Sequence, residues 1–317
     1  MKFLILSPRP VAGGAIVLHV LCRELLLLGY DAQILYSPNE GRIAGESIYA
    51  FWKNWAFYNI KDFAGRLLYQ TSKWATRGKL IIFEKHLHNP VGQYKRCMVP
   101  YVSKDTIVVY PDIIWGNPLK ADKVVRWLLY FNRFPGDQKA YGTNDLFFCY
   151  REIFNDYALN PTGRRLCLQN FDFKVYKQTN FNKRNGCCYI IRKGKNRSDL
   201  PEQFDGPVID SWSERKKVKA FNKYKYCYCY DTQSFYTVVA AACGCIPVVI
   251  LEPGKTKEDY LGKGEIPLGV AYGNTEEEIE YAVQTRENCI QQLKNFDQWN
   301  REAVQSFVNT CKQYWGC

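Results

Sequence analysis

Four cations and a group of hydroxyls carry the clearest chemical signal in this chain. Arg192, Lys193, Lys195 and Arg197 fall within six residues, directly after an apolar run at 187–191 that reads as a strand. Asp231, Thr232 and Ser234 follow a second such run, Tyr-Lys-Tyr-Cys-Tyr-Cys-Tyr at 224–230, whose aromatic period-two alternation also suits a strand. The small residues of 238–243, then Gly244 and Pro247, then 248–250 predict a close-packed helix, a left-handed glycine stop and a returning strand. Hydroxyls at the strand-to-helix junction can cap the helix, and its free N–H groups can hold an anion. In a parallel sheet the loop at 192–197 and the loop at 231–236 leave the same ends of their strands. A diphosphate placed there meets N–H groups on one side and guanidinium and ammonium groups on the other.

The elements that must position these residues read as α/β. The segment 2–7 is a short buried strand, 8–14 a loop ending in Gly13-Gly14, 15–28 an apolar helix and 31–36 a second strand, which is how an open parallel sheet begins. The diglycine permits close backbone approach to a ligand or serves as a tight turn. It is no dinucleotide fingerprint, because the third glycine and the downstream acid are absent. A β-branched strand at 106–110 runs into 111–118. Ligands gather beyond the carboxyl ends of such strands, so Asp112 and Asn117 are candidates for the cleft, with turn and capping roles as the alternative. A helix is predicted over 124–130 and a strand over 146–150. The pattern dissolves over 169–184, which marks a linker and divides the chain into domains at 1–178 and 179–317. In the second domain, 208–210 and 268–272 read as strands. Ser211 with Glu214, and Thr275 with Glu278, form capping boxes, the second opening a helical pattern that runs to the end.

A chain of 317 residues that is 47% hydrophobic and 23% charged suits two folded domains. No apolar run is long enough for a membrane span and no signal peptide is evident, which predicts a cytoplasmic protein. The thirteen cysteines include no paired CxxC motifs, and the histidines do not follow them at zinc spacing. Reduced core thiols are expected and no metal site, His86-x-His88 being a weak signal. The net charge of +12 is uneven: 24 basic against 14 acidic residues over 1–178, but 19 against 17 over 179–317. The N-terminal half therefore attracts the anion, whether membrane surface, phosphorylated acceptor or nucleic acid. Residues 49–83 hold ten aromatics and six basic residues against Asp62 alone. Such a segment can lie on an anionic bilayer, or form an aromatic subcore with solvated basic faces.

The 192–197 loop, the unit at 224–250 and the two-domain layout together resemble the family 4-like glycosyltransferases built from two Rossmann-like domains (GT-B). The best-matched stretch is 240–249, Ala-Ala-Ala-Cys-Gly-Cys-Ile-Pro-Val-Val. Gly13-Gly14 is similar to the family's first glycine loop. The residues Tyr110-Pro111-Asp112, Gly116-Asn117-Pro118 and Arg126-Trp127 resemble bacterial surface-polysaccharide transferases. The resemblance implies an α/β fold of two domains facing each other across a cleft, with the C-terminal helix returning to the N-terminal domain. It implies an acceptor, a glycan or a lipid-linked one, on 1–178 and a nucleotide-diphosphate sugar on 179–317. Arg192 with Lys193 or Lys195 would hold the diphosphate, with Gly13 and Gly14 on the donor side. The family carries two glutamates eight positions apart in this unit, and they fall on Asp231 and Val239. Thr232, Ser234 or Thr237 would then supply the hydrogen bonds that the second acid usually makes to the ribose. No Asp-x-Asp occurs, so leaving-group charge falls to fixed cations and helix N–H groups, and neither metal nor cofactor is expected. An inverting reaction needs a base, for which Asp112 is the candidate; a retaining one manages without it. Two rival readings are a non-transferase of the same fold, such as a nucleotide-sugar epimerase, and a basic nucleic-acid-binding protein. The latter ranks last because no RNA-binding signature or basic recognition helix is present. Peripheral attachment to the inner face of the plasma membrane through 49–83 completes the expectation.

Overall fold

Strand β1 (Lys2–Ser7) and strand β4 (Thr106–Pro111) form the centre of a six-stranded sheet in the order β3-β2-β1-β4-β5-β6. The computed structural model describes residues 1–9, 13–38, 40–75 and 91–316. Arg77, Lys79 and Phe83 of the aromatic–basic segment, and His86 and His88, lie outside the described residues. The remaining strands of the sheet are β2 (Asp31–Tyr36), β3 (Arg96–Cys97), β5 (Lys123–Leu128) and β6 (Leu146–Cys149). All neighbours pair in parallel. β4 is buried along its whole length and β1 and β5 beyond their first residue, the mark of strands covered on both faces. The helix predicted over 124–130 is β5: a short apolar run has no decisive period, and Val124-Val125 favour the strand that the sheet needs.

Chain direction across the sheet reverses between β1 and β4, and ligands of open α/β sheets bind at the carboxyl ends of strands at such a switch point. Helix α1 (Gly13–Leu27) follows β1 and is buried on most faces, His19 and Glu24 included. Helix α2 (Ile48–Ala75) follows β2. It buries Phe51, Asp62 and Tyr69, yet leaves Phe57, Ile60, Leu67 and Trp74 from 56% to 85% exposed.

The chain divides into two units, Met1–Asn170 with Asp297–Cys317, and Phe171–Phe296. The boundary thus falls within the predicted linker but before residue 178, and the last helix, α7 (Phe296–Trp315), belongs to the first unit rather than to 179–317. Burial explains the return. Phe307 is 1% exposed and its ring lies 5.9 Å from Phe3 and 5.0 Å from Phe148. Asn300 fixes the approach by accepting the Gln169 N–H (2.9 Å) and donating to the Gln169 carbonyl (2.7 Å).

The second unit is a four-stranded parallel sheet, β7 (Asn185–Ile190), β8 (Tyr224–Cys229), β9 (Ile246–Val249) and β10 (Ala271–Tyr272), in simple sequence order. The strand predicted at 208–210 reduces to one bridge between Val208 and Tyr189. Helices α3 (Glu214–Lys223), α4 (Tyr236–Ala242), α5 (Glu276–Gln284) and α6 (Arg286–Lys294) complete it. Cys188, Cys227, Cys229 and Cys245 fill the core as free, buried thiols. Thr275 caps α5 as predicted, accepting the Glu278 N–H. Ser211 does not cap α3, which begins after Ser213. At the far end of α4, Gly244 takes φ +84°. Arg286 and Arg184 donate to the carbonyls of Ala241 (2.7 Å) and Cys243 (3.0 Å) in the last turn, placing cations at a helix C-terminus.

Candidate functional site

The chain leaves β7 into a tight 3-10 turn, Arg192–Gly194. Arg192 adopts φ +34°, a conformation that a non-glycine residue keeps only when its surroundings enforce it. Asp210 enforces it: its Oδ2 accepts the N–H groups of Ile191 (2.9 Å) and Arg192 (3.1 Å). Gly194 is buried beneath the turn, and a Cβ there would stand 2.3 Å from the Tyr230 carbonyl oxygen. Only glycine lets this loop lie directly on the end of β8.

Asp231 locks the two loops together. It is 3% exposed, and its carboxylate accepts the backbone N–H groups of Gln233 and Lys193. Its Oδ2 lies 4.0 Å from the Arg192 guanidinium, whose side chain is 42% exposed. Burial raises the carboxyl's pKa, while Lys193, Arg192 and the two N–H donors pull it back. Lys195 is exposed, with no side-chain partner among the described residues. Arg197, the fourth cation of the run, faces inward. It donates to the carbonyls of Tyr230 (3.3 Å), Ile250 (2.7 Å) and Leu251 (2.9 Å) and pairs with Asp199 (2.5 Å). It is a strut joining the ends of β8 and β9, so the solvent-facing edge consists of Arg192, Lys193 and Lys195.

The hydroxyls behave unequally. Ser234 is buried, and its Oγ accepts the Tyr236 N–H at 3.3 Å, the first residue of α4. The Thr237 hydroxyl donates to the Ser234 carbonyl (2.9 Å), and the residue is buried. Thr232 is half-buried and makes no side-chain hydrogen bond among the described residues. Val239, at the position of the family's second acid, is 0% exposed within the core packed on the sheet. A carboxylate there would be buried among hydrocarbon.

Sequence reasoning missed the groups beside this edge. The Glu214 carboxylate accepts hydrogen bonds from the hydroxyls of Tyr236 and Tyr176 (3.1 Å to the latter) and from the Lys217 ammonium (3.2 Å). Lys217 also donates to the Tyr236 hydroxyl at 3.0 Å and lies 4.5 Å from that ring's centroid, over which Arg192 stands at 5.7 Å. Burial, and then the hydrogen bond to Glu214, hold the Tyr236 phenol protonated far above its ordinary range. The sequence signal was Glu214 itself, at a helix start close after a strand, where a capping role masked it.

In the first unit the structure brings Gly14 and Asp112 to one place. A Cβ on Gly14 would lie 3.5 Å from the Leu129 side chain, and the Asp112 Oδ1 accepts the Leu129 N–H at 3.2 Å. Both therefore stand at the switch-point end of the sheet, with Gly13 exposed beside them. Gly13 and Gly14 belong to this unit and not to the one carrying Arg192. Asn117 is committed to its own turn: Oδ1 accepts from Tyr110 (2.9 Å) and from the Ala121 N–H (3.1 Å), and Nδ2 donates to the Ala121 carbonyl (2.8 Å). Among the described residues no group of three or more His, Cys, Asp or Glu side chains could hold a metal ion.

A second charged cluster in this unit was also invisible in the sequence. Asp62, on α2, is 0% exposed and ion-pairs with Arg9, Arg66 (3.0 Å) and Arg96 (2.7 Å). Beside the cluster, the hydroxyls of Tyr36 and Tyr94 share a hydrogen bond of 2.6 Å. His19 packs edge-on against Tyr94, at 4.6 Å between centroids. Its pKa is lowered to about 4 by burial, against the hydrogen bond to Ala15, so the ring is neutral.

No protein-family model matches the chain, and no curated protein matches it. Among solved structures it is similar to an alpha-glucosyltransferase in complex with UDP and a 13-mer DNA containing a central A:G mismatch. The identity is 11% and the TM-score 0.41, over 97% of this chain and 95% of that one.

Proposed function

We propose that the chain is a GT-B glycosyltransferase that moves a sugar from a nucleotide-diphosphate donor on the second unit to an acceptor hydroxyl on the first. The observation that carries the reading is the Arg192, Lys193, Lys195 edge, held over buried Asp231 by the glycine-dependent turn at 192–194. Such an arrangement is costly to build and suits a group that leaves with negative charge. In the reaction the bond from the anomeric carbon to the diphosphate oxygen breaks, its electron pair leaving with the diphosphate. The acceptor oxygen bonds to that carbon and loses its proton, which Asp112 takes in an inverting reaction. Arg192, Lys193 and Lys195 stabilise the departing charge, and Thr232 and Glu214 are the groups for the donor's ribose, since Val239 is core.

The acceptor is a glycan or a lipid-linked precursor of surface polysaccharide. Support for a membrane setting comes from α2, whose Phe57, Ile60, Leu67 and Trp74 form one exposed stripe at helical spacing. Lys53 and Lys61 are exposed on the same helix, and its one acid, Asp62, is buried. Apolar side chains with flanking cations suit an anionic bilayer surface.

A donor screen that reads released nucleoside diphosphate, with the product anomer assigned by NMR, tests the transfer. Arg192→Ala should weaken binding of the nucleoside diphosphate about tenfold in calorimetry, the scale of one lost charge-assisted hydrogen bond. Absence of turnover with every nucleotide sugar, or unchanged affinity in Arg192→Ala, would sink the assignment.

A further inference from the structure

What holds Arg192 in place reaches beyond its own loop. Gly206 lies so close to β7 that a Cβ there would stand 2.3 Å from the Cys187 carbonyl oxygen. From that contact the chain runs alongside β7. The Tyr189 N–H donates to the Pro207 carbonyl and the Ile209 N–H to the Tyr189 carbonyl, both at 2.9 Å. Ile209 is 0% exposed in the core of the second unit. Asp210 is thereby delivered to the carboxyl end of β7, where its Oδ2 takes the N–H groups of Ile191 and Arg192. The segment 206–210 is a short edge piece whose last residue braces the cation turn.

The brace is held at some expense. Its other carboxylate oxygen, Oδ1, is buried with no hydrogen-bond partner among the described residues, which native structures rarely tolerate. Arg192 sits at φ +34°, directly after a right-handed Ile191. A left-handed backbone disfavours a residue with a Cβ by roughly a factor of ten in population. Successive N–H groups in such a right-then-left turn make an anion-binding concavity, and the Asp210 carboxylate already fills it. What the turn presents to a ligand is therefore the Arg192 side chain, 42% exposed. Its guanidinium carbon lies 5.7 Å from the Tyr236 ring centroid, and its Nε 4.0 Å from Asp231. Glycine at 192 would meet a purely structural need with less strain. An arginine kept there against its backbone preference points to a use for the guanidinium.

We propose that Asp210 is a positioning residue for the donor diphosphate. It touches no ligand and acts by holding Arg192 in the left-handed conformation that aims its guanidinium at the leaving group. The inference rests on the nucleotide-diphosphate reading above and names the residue that orients the first of its cations. Without Asp210 the turn relaxes toward a right-handed backbone, and the conformation that binds becomes the minor one. Apparent affinity then falls by the fraction of chains still competent. Asp210 and Arg192 act as one unit, so their losses do not add.

UDP, GDP and ADP are titrated into the full chain by calorimetry, and the tightest binder is carried into the variants. Asp210→Ala should weaken it about tenfold, as Arg192→Ala does. Asp210→Asn, whose amide oxygen can still accept both N–H groups, should stay within about threefold of wild type. Adding Asp210→Ala to Arg192→Ala should cause no further loss. That cycle separates positioning from damage, because general loosening of the loop would also reach Lys193 and Lys195 and lower affinity again. Should Asp210→Ala melt at a much lower temperature, Asp210→Ser, which keeps a polar group of shorter reach, decides in its place. A further loss in the double variant overturns the proposal. If Arg192→Ala weakens binding while Asp210→Ala, or Asp210→Ser in its place, keeps wild-type affinity, the donor edge stands and the positioning role falls. If both weaken binding without addition but no nucleotide sugar is turned over, the transfer reading fails and the positioning role stands. No binding of any of the three nucleotides, or wild-type affinity in Arg192→Ala, removes both.

Discussion

Both units place one buried carboxylate against several cations near the carboxyl ends of a parallel sheet, but they build the arrangement in opposite ways. Around Asp231 the cations are consecutive on one loop, Arg192 stays 42% exposed, and backbone N–H groups supply much of the carboxylate's solvation. Around Asp62 the cations come from separate elements and are mostly buried, and the carboxylate is held by side chains of its partners. Exposed cations on a loop can exchange a ligand with water at little cost. Buried ones must keep their anchor or the packing around them fails.

The strongest way to break this comparison is to neutralise each carboxylate. Asp62→Asn should destabilise the first unit by about 3–5 kcal/mol in urea unfolding, because it leaves guanidinium groups buried without their partner. Asp231→Asn should cost about 1 kcal/mol, since its amide can still accept N–H bonds, and should tighten nucleoside diphosphate binding. Equal losses would mean that the two edges are not differently built.

Acid should separate them next. His19 has a folded pKa of about 4 against 6.5 unfolded. Its contribution to stability is complete above pH 6.5 and is lost as the pH falls toward 4. Between pH 7 and pH 5 this amounts to about 2 kcal/mol by linkage. Asp231 moves the other way: its raised folded pKa means that the folded state takes up a proton first as acid is added. Unfolding curves at the two pH values, with His19→Gln removing most of the loss, measure the difference. A loss that persists in His19→Gln would place the acid sensitivity elsewhere. The smallest effect should come from outside both clusters. Lys53→Glu with Lys61→Glu should weaken binding to anionic vesicles by about 1 kcal/mol per cation removed, with stability unchanged. Unaltered flotation would leave the apolar stripe of α2 without a membrane role.

The second edge was legible because its parts are local. A run of cations after an apolar strand, and an acid with hydroxyls after the next, can be read from spacing alone. Local reading also overreached. Arg197 sits in the same run but points at the carbonyls of Ile250 and Leu251, which nothing in the residues 192–197 announces. The run at 124–130 carried no period to mark it as β5. Glu214 fitted a cap, while its phenolic partners lie 38 and 22 positions away. The first cluster draws on residues 9, 62, 66 and 96, and these meet only once α2 has settled against β1 and β2. Asp62 stood out in the sequence merely as a lone acid among basic residues; burial turned it into an anchor.

The return of α7 to the first unit has a consequence for how the chain is made. Residues 171–296 are continuous and hold their own core, whereas the first unit lacks Phe307 until α7 has been synthesised. During translation the second unit can therefore close first, although it begins more than halfway along the chain. The switch-point sheet waits as an incomplete layer until residues 297–317 emerge.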